Sequence, residues 1–390
     1  MTTTTRTLLS GMLACAVALG LGRFAFTPIL PLMQAEHGFG TAVAGWLAAA
    51  NNLGYLVGAL WAGMVTSDAA RHRLLGWGLA ILVVTLGLMA VTDSMLAWNL
   101  IRGIAGVASA WVFVLASALV VPRLAELGHA KLSGWHFGGV GLGIAVAGIF
   151  VGLTGSAIGS VGGWIGAALI ALAFAAYAWP ALRDAHAAQA NAAAPPPPVA
   201  FPLSLLAAAY FFEGMGYIVT GTFLVAMIKA SPELRPLADL AWVLVGLAAL
   251  PSAAAWSWLA AHRGFLFALV AAHVVQTLGV ALPALSSSAP AVLLGAVMYG
   301  GTFLGIVGMA LAFGRAITPA TPARTMGLLT AAFGIGQIIG PVVAGWLAEG
   351  GDWAPALWFA AASVAAGTPL LLAGRWVTSR GAGLRRYPAR

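Results

Sequence analysis

The chain has 390 residues, 61% of them hydrophobic and only 7% charged, with a formal net charge of +8. A soluble domain carries about 25% charged residues, so a water-exposed surface of this size cannot be covered, and the bilayer must be the solvent for most side chains. The basic excess would suit nucleic acid in a soluble protein. Here it is scattered among short connections, which points to membrane orientation and away from a nucleic-acid partner.

The chain opens on Arg6 and an apolar run that begins at Leu8. This resembles a signal peptide, and Met12-Leu13-Ala14 before Cys15 has a lipoprotein cast. The hydrophobic helix continues past it with no clean cleavage site, so an uncleaved first span is expected. Cys15 is the one cysteine, which excludes an internal disulfide. Apolar stretches predict spans at 8–34, 40–66, 74–92, 95–121, 134–156, 160–182, 203–229, 237–261, 263–285, 290–314, 324–348 and 353–376. The expectation is an all-α membrane protein of twelve transmembrane helices. Fifty glycines suit helices that pack closely in lipid.

The segment 183–202 contains Pro195 to Pro198, which cannot continue a helix. It divides the chain into a six-helix bundle at 1–182, an Ala/Pro-rich linker at 183–202, a second six-helix bundle at 203–376, and a basic tail at 377–390. With both termini cytoplasmic, the inner connections hold most of the basic residues, Arg71, Arg73, Arg123 and Lys131 among them, and the outer ones hold only Lys229 and Arg235. Glu36, Asp93, Glu233, Asp239, Glu349 and Asp352 then lie outside. Trp98, Trp164, Trp353 and Trp376 fall near span ends, where interfacial anchors belong.

The halves echo each other. A shift of 193 residues aligns Lys131 with Arg324, Gly134 with Gly327, Gly141 with Gly334, Gly143 with Gly336, and Gly152 with Gly345. Two parallel six-span halves are a transporter plan with the substrate site between them near the midplane.

Arg23, Arg102 and Glu213 sit within spans. A charge at a span centre costs at least about 2.5–3.5 kcal/mol on insertion scales, so such residues face a watery cavity or a partner. Counting the rise per residue places Glu213 near the middle of span seven and both arginines in the outer halves of spans one and four. The bland reading is a static ion pair such as Arg23 with Glu213. The functional one gives the arginines an anionic group of the substrate or a gating role, since the guanidinium fork matches a carboxylate, and makes Glu213 a proton carrier. Helical spacing adds Tyr210 and Tyr217 beside Glu213, Asn51 with Tyr55 and Gly58, Arg102 with Gly106 and Ser109, and Thr330 with Gly334 and Gln337. Phe24, Phe26 and Trp111 supply further aromatic lining. His273 and Gln276 read as interhelical hydrogen bonders.

The first span reads LGRFAFTPILPLM from Leu21, and the seventh EGMGYIVTGTFL from Glu213. Together they resemble the YbfB/YjiJ-like branch of the major facilitator superfamily. The resemblance implies a twelve-helix facilitator fold with alternating access, and a signature comprising Arg23, Pro28, Pro31, Glu213, Gly214 and Tyr217. It names no cargo. Arg102 to Gly106 is similar to the superfamily's span-four arginine motif, linked to proton coupling. The loop after span two matches the glycine-rich basic motif loosely, through Gly58, Leu60, Arg71 and Arg73. Ala62 replaces its aspartate, so Arg71 and Arg73 are candidates for the cytoplasmic gate without their usual acidic partner. Gly148 stands where drug antiporters carry a span-five proline.

A dinucleotide fold around Gly334-Ile-Gly336 is excluded by the apolar span that holds it. No metal cluster or nucleophile set stands out in the sequence, and no cofactor or enzymatic activity is expected. The expected function is secondary active transport of a small solute across the inner (plasma) membrane, with a proton-coupled organic anion as first choice. The alternatives are proton-driven efflux of amphipathic compounds and a non-transporting sensor on the same fold. The partners are substrate, protons and lipid, and the protein is expected to be a monomer.

Overall fold

A computed structural model describes residues 2–184 and 198–384, with side chains to residue 378. Most of the Ala/Pro-rich linker and the end of the basic tail lie outside the described residues. Every regular element among those described is helical. The first span is composite: α1 (Thr3–Cys15), a π-helical turn (Ala16–Leu21) and α2 (Phe26–His37). There follow α3 (Thr41–Met64), α4 (Asp68–Leu88), α5 (Met95–Glu126), α6 (Ser133–Arg183), α7 (Leu203–Ala230), α8 (Ala238–Arg263), α9 (Phe265–Leu285), α10 (Ala289–Ile317), α11 (Pro322–Leu347) and α12 (Ala354–Leu384). Counting Thr3–His37 as one, 11 helical segments among the described residues are long and apolar enough to cross a membrane.

The longest, α6, has 51 residues and breaks at Gly159, where φ is 62° and ψ −165°. Only glycine adopts such a backbone without strain. The helix restarts at Ser160, whose backbone N–H donates to Glu36 Oε1 at 2.8 Å and whose hydroxyl donates to the other carboxylate oxygen. A carboxylate is well placed there, because the first N–H groups of a helix have no partner of their own. Between α8 and α9 the whole connection is Gly264, with φ of 87°.

The first span departs from a plain helix for a local reason. Pro28 and Pro31 lack the N–H that would bond the preceding turn. Upstream of them, Gly22 and Phe24 donate to the carbonyls of Val17 and Leu19, five residues back, at 2.9 Å each. The bulge leaves carbonyls to be satisfied from outside, and Ser109 of α5 donates to Ala18 O at 2.5 Å. Arg23 sits in the turn just after the bulge, its N–H donating to Leu19 O at 3.2 Å.

α1 to α6 pack chiefly among themselves, as do α7 to α12; α6 on α8, α3 on α11, and α2 on α7 join the two sets. Small residues let these backbones meet. A Cβ at Gly141 would lie 2.5 Å from Gly246 O, and one at Gly45 would lie 2.3 Å from Pro341 O. Three of the four glycine pairs aligned by the 193-residue shift are close-packed in both halves, whereas Gly134 meets Ala254 and its counterpart Gly327 has nothing within 4 Å. Gly143 abuts Gly20 in the first span and Gly336 abuts Phe211 in α7, while Gly152 meets Asp239 at the start of α8 and Gly345 meets Thr41 at the start of α3.

The interfacial reading of two tryptophans is corrected. Trp98 and Trp164 are each only 1% exposed. Trp98 donates to Met89 O at 3.2 Å and meets His37 and Phe39 edge-on, and Trp164 stacks on Phe26. Both lie near helix ends, but on faces turned toward neighbouring helices. Trp376, at 55% exposure, does face outward.

Candidate functional site

The three intramembrane charges are enclosed: Arg23 is 6% exposed, Arg102 3% and Glu213 0%. The ion pair Arg23–Glu213 does not form. Among the described residues, neither arginine has a carboxylate within salt-bridge distance.

Arg23 instead starts a chain of hydrogen bonds through neutral side chains across the molecule. Its Nη2 donates to Asn52 Oδ1 at 2.6 Å. Asn52 Nδ2 donates to Gln337 O of α11 at 2.7 Å, and Gln337 Nε2 donates to the Tyr217 hydroxyl of α7 at 2.5 Å. The guanidinium carbon also lies 5.4 Å from the Tyr55 ring and 5.5 Å from the Phe24 ring, while Nε has no partner. Arg102 is held differently. Its guanidinium carbon lies 4.5 Å from the Phe26 ring centroid, and Nε reaches Leu47 O at 3.5 Å. Both cations are thus stabilised by ring faces and carbonyls rather than by counter-charge.

Glu213 has its own setting on α7. Gln276 of α9 donates to Oε1 at 2.6 Å. Oε2 makes no hydrogen bond and lies 3.9 Å from His273 Nε2. His273 Nδ1 is 2.8 Å from Leu269 O, and a carbonyl only accepts, so that nitrogen carries the hydrogen. On a neutral imidazole Nε2 therefore presents its lone pair to the unpartnered carboxylate oxygen. Gly367 of α12 makes room for the ring, since a Cβ there would fall 2.5 Å from His273 Cδ2.

Aromatic plates fill the space around Tyr217. Tyr210 stacks on Phe333 with centroids 4.3 Å apart, Phe333 on Tyr217 at 5.3 Å, Tyr217 on Phe303 at 5.9 Å, and Phe303 on Tyr299 at 5.4 Å. All four pairs lie within 17° of parallel. Phe24 meets the edge of Phe303, which brings the stack to the residue beside Arg23.

Among the sequence candidates, the structure thus joins Arg23, Tyr55, Tyr217 and Gln337 in one connected cluster, with Tyr210 reaching it through Phe333. Arg102 and Phe26 pair with each other. Asn51 is turned to α5, where its Nδ2 donates to Arg102 O at 2.9 Å. Its neighbour Asn52 makes the connection to Arg23. At the end of the molecule that begins α4, Arg71 bonds Asp68 at 3.0 Å and Val65 O at 3.2 Å, whereas Arg73 lines a groove between α4 and α6. The sequence reading missed Asn52, Phe303, Phe333 and Tyr299, and set His273 and Gln276 aside. Pairing a buried glutamate in span seven with the polar residues of span nine would have found the last two.

A family model described as "Uncharacterised MFS-type transporter YbfB" matches residues 15–372. The chain belongs to this major facilitator family. A curated relative, the uncharacterized MFS-type transporter YceJ of Bacillus subtilis (strain 168), is 35% identical over 94 residues. That match spans 24% of this chain and 24% of the relative's length. Among solved structures, the nucleoside transporter NupG superposes with a TM-score of 0.72 at 17% identity, covering 95% of this chain and 99% of that one. A mutant of NupG gives 0.74 at 15% identity, covering 94% and 99%. At such identity the likeness is one of fold. This facilitator is a transporter, not an enzyme, and a multi-pass protein of the inner membrane.

Proposed function

We propose that this facilitator moves a small organic anion together with protons by alternating access, on twelve spans in two six-helix bundles with both termini cytoplasmic. A straight helix of 51 residues would be about 76 Å long, more than twice the ~30 Å hydrocarbon core. The break at Gly159 is therefore where the chain turns back, which makes α6 two spans.

The observation that carries the reading is the segregation of charge. Among the described residues, Arg23 and Arg102 are buried without a carboxylate, and the one buried carboxylate is bonded elsewhere by Gln276, beside His273. An anionic group of the cargo completes the arginines. Arg23 directly follows a π-helical bulge, and such bulges are frequent at functional sites. The plates of Tyr210, Phe333, Tyr217 and Phe303 favour a cargo with a flat ring beside its carboxylate. Glu213 carries the proton, and His273 faces its unpartnered oxygen as the group that shares it. The cross-link from Asn52 to Gln337 must break for the halves to part. Asn51 positions Arg102 through its carbonyl. Arg71 serves the cytoplasmic gate, with Asp68 in place of the usual acidic partner. No cofactor is required, and a monomer suffices.

Two other readings stay open to test. The aromatic plates also suit proton-driven efflux of amphipathic compounds. The likeness to NupG raises a neutral nucleoside as cargo, but a neutral solute would leave both buried cations without a counter-charge.

Proteoliposomes enclosing a pH-sensitive dye test the proposal. Adding a transported organic acid outside should acidify the lumen, and the Glu213→Gln variant should exchange cargo without that acidification. Acidification that persists in Glu213→Gln rejects the proton role. Flux of none of a broad panel of acids, bases and neutral solutes would favour the sensor.

A further inference from the structure

A groove of about 720 Å³ opens on the outer flank of the first six helices, between α4 and the part of α6 that follows Gly159. Its walls are Trp77, Val83 and Val84 on one side and Leu172, Ala176 and Trp179 on the other, and Arg73 and Arg183 stand together at one end. Each wall runs eleven residues from its arginine, Arg73 to Val84 and Arg183 to Leu172, which is about 16 Å of helix. That matches half the ~30 Å hydrocarbon core. Trp77 and Trp179 lie one turn below the two arginines, where amphipathic indoles belong between headgroups and chains. A Cβ at Gly76 would lie 2.8 Å from the Trp179 ring, so the absence of a side chain there is what seats that indole in the groove.

Outward-facing apolar surface is ordinary in a membrane protein; a concave trough closed at one end by two guanidinium groups is not. Arg183 has Asp184 at 3.2 Å. Arg73 has no acidic partner among the described residues, since Asp68 bonds Arg71 instead. The end of the groove therefore keeps a net positive charge.

We infer that this groove binds an anionic phospholipid of the cytoplasmic leaflet, its phosphate between Arg73 and Arg183 and one acyl chain along the trough. Assignment to that leaflet rests on the orientation proposed above; the groove does not. Basic pockets between membrane helices recruit anionic headgroups in this way, and the guanidinium forks supply paired donors to phosphate.

The full chain, purified in detergent micelles doped equally with phosphatidylglycerol and phosphatidylcholine, tests the inference by native mass spectrometry. Phosphatidylglycerol should be retained over phosphatidylcholine. The double variant Arg73→Gln, Arg183→Gln should lower that retention about tenfold or more. Ala176→Trp, which fills the trough and leaves both charges, should lower it as well, and decides the matter if the double variant does not fold. Retention unchanged by a folded double variant, or by Ala176→Trp, overturns the proposal. Displacement of the lipid by inorganic phosphate at equal concentration also overturns it, marking a free-anion site.

Discussion

The two sets of six helices are alike where they pack and unlike where they are charged. The 193-residue shift puts Arg23 opposite Gly216, Arg102 opposite Gly295, and Glu213 opposite Gly20. Each of those glycines is a close-packing position. A Cβ at Gly20 would lie 2.5 Å from Gly143, at Gly216 2.5 Å from Ala360 O, and at Gly295 2.6 Å from Gly279 O. Where one half keeps a tight backbone contact, the other carries an ionisable side chain. The repeat fixes the scaffold, and the breaks in the repeat mark the chemistry: cations from the first half, and a carboxylate with aromatic plates from the second.

The largest effect is expected at the charge with no counterpart in the first half. Glu213→Gln should abolish uphill accumulation while counterflow exchange survives, measured in proteoliposomes with and without a pH gradient. Uphill accumulation equal to that of the parent would remove Glu213 from the coupling step. On the other side, Arg23→Lys and Arg102→Lys should each weaken binding of the anionic cargo about 10–100-fold, because an ammonium cannot reproduce the guanidinium fork. Equal affinity in both variants would make the arginines structural.

The scaffold half of the comparison is tested by packing. Gly45→Leu forces a side chain where a Cβ would lie 2.3 Å from Pro341 O, and should cost about 1–3 kcal/mol of stability. Gly308→Leu, where nothing lies within 4 Å, should leave the melting temperature close to that of the parent. If the two melt alike, the close approach of α3 and α11 is wrong.

The hydrogen bonds between the halves come next. Asn52→Ala strips both Arg23 and Gln337 of a partner and should cost about 1–3 kcal/mol. It should also speed cargo exchange by removing a link between the halves, whereas Asn51→Ala, which acts within the first six helices, should not. Smallest is Glu349→Gln. Its carboxylate accepts from Ala42 N at 2.6 Å and from the Thr41 hydroxyl at 3.2 Å, tying the end of α11 to the start of α3. Losing the charge at that helix terminus should cost about 0.3–1 kcal/mol, read as a small fall in melting temperature.

The charged core of the site was legible because charge is scarce in this chain: an arginine or glutamate inside an apolar run stands out without any structure. The glycine echo was legible for the same kind of reason, since a backbone contact between helices demands a residue with no side chain. Asn52 was not. Asn51 and Asn52 are adjacent, and successive side chains on a helix point about 100° apart. Helical spacing with Tyr55 and Gly58 favoured Asn51, but which of the two meets Arg23 depends on the π-helical turn that sets how Arg23 is presented. The stack from Tyr210 to Tyr299 draws on α7, α10 and α11, and no spacing rule along one helix joins residues on three. Trp98 and Trp164 misled because nearness to a helix end says nothing about which face the indole occupies.

The central claim is that Arg23 and Arg102 await an anionic group on the cargo. It is tested most directly by uptake of matched solutes into proteoliposomes under an inward proton gradient: a ring-bearing carboxylate, its neutral amide and a cationic amine of the same shape. The carboxylate should accumulate, the amide and amine should not, and the Arg23→Lys, Arg102→Lys double variant should lose the distinction. Accumulation of the amide or amine at the rate of the acid, with both arginines dispensable, would contradict the account.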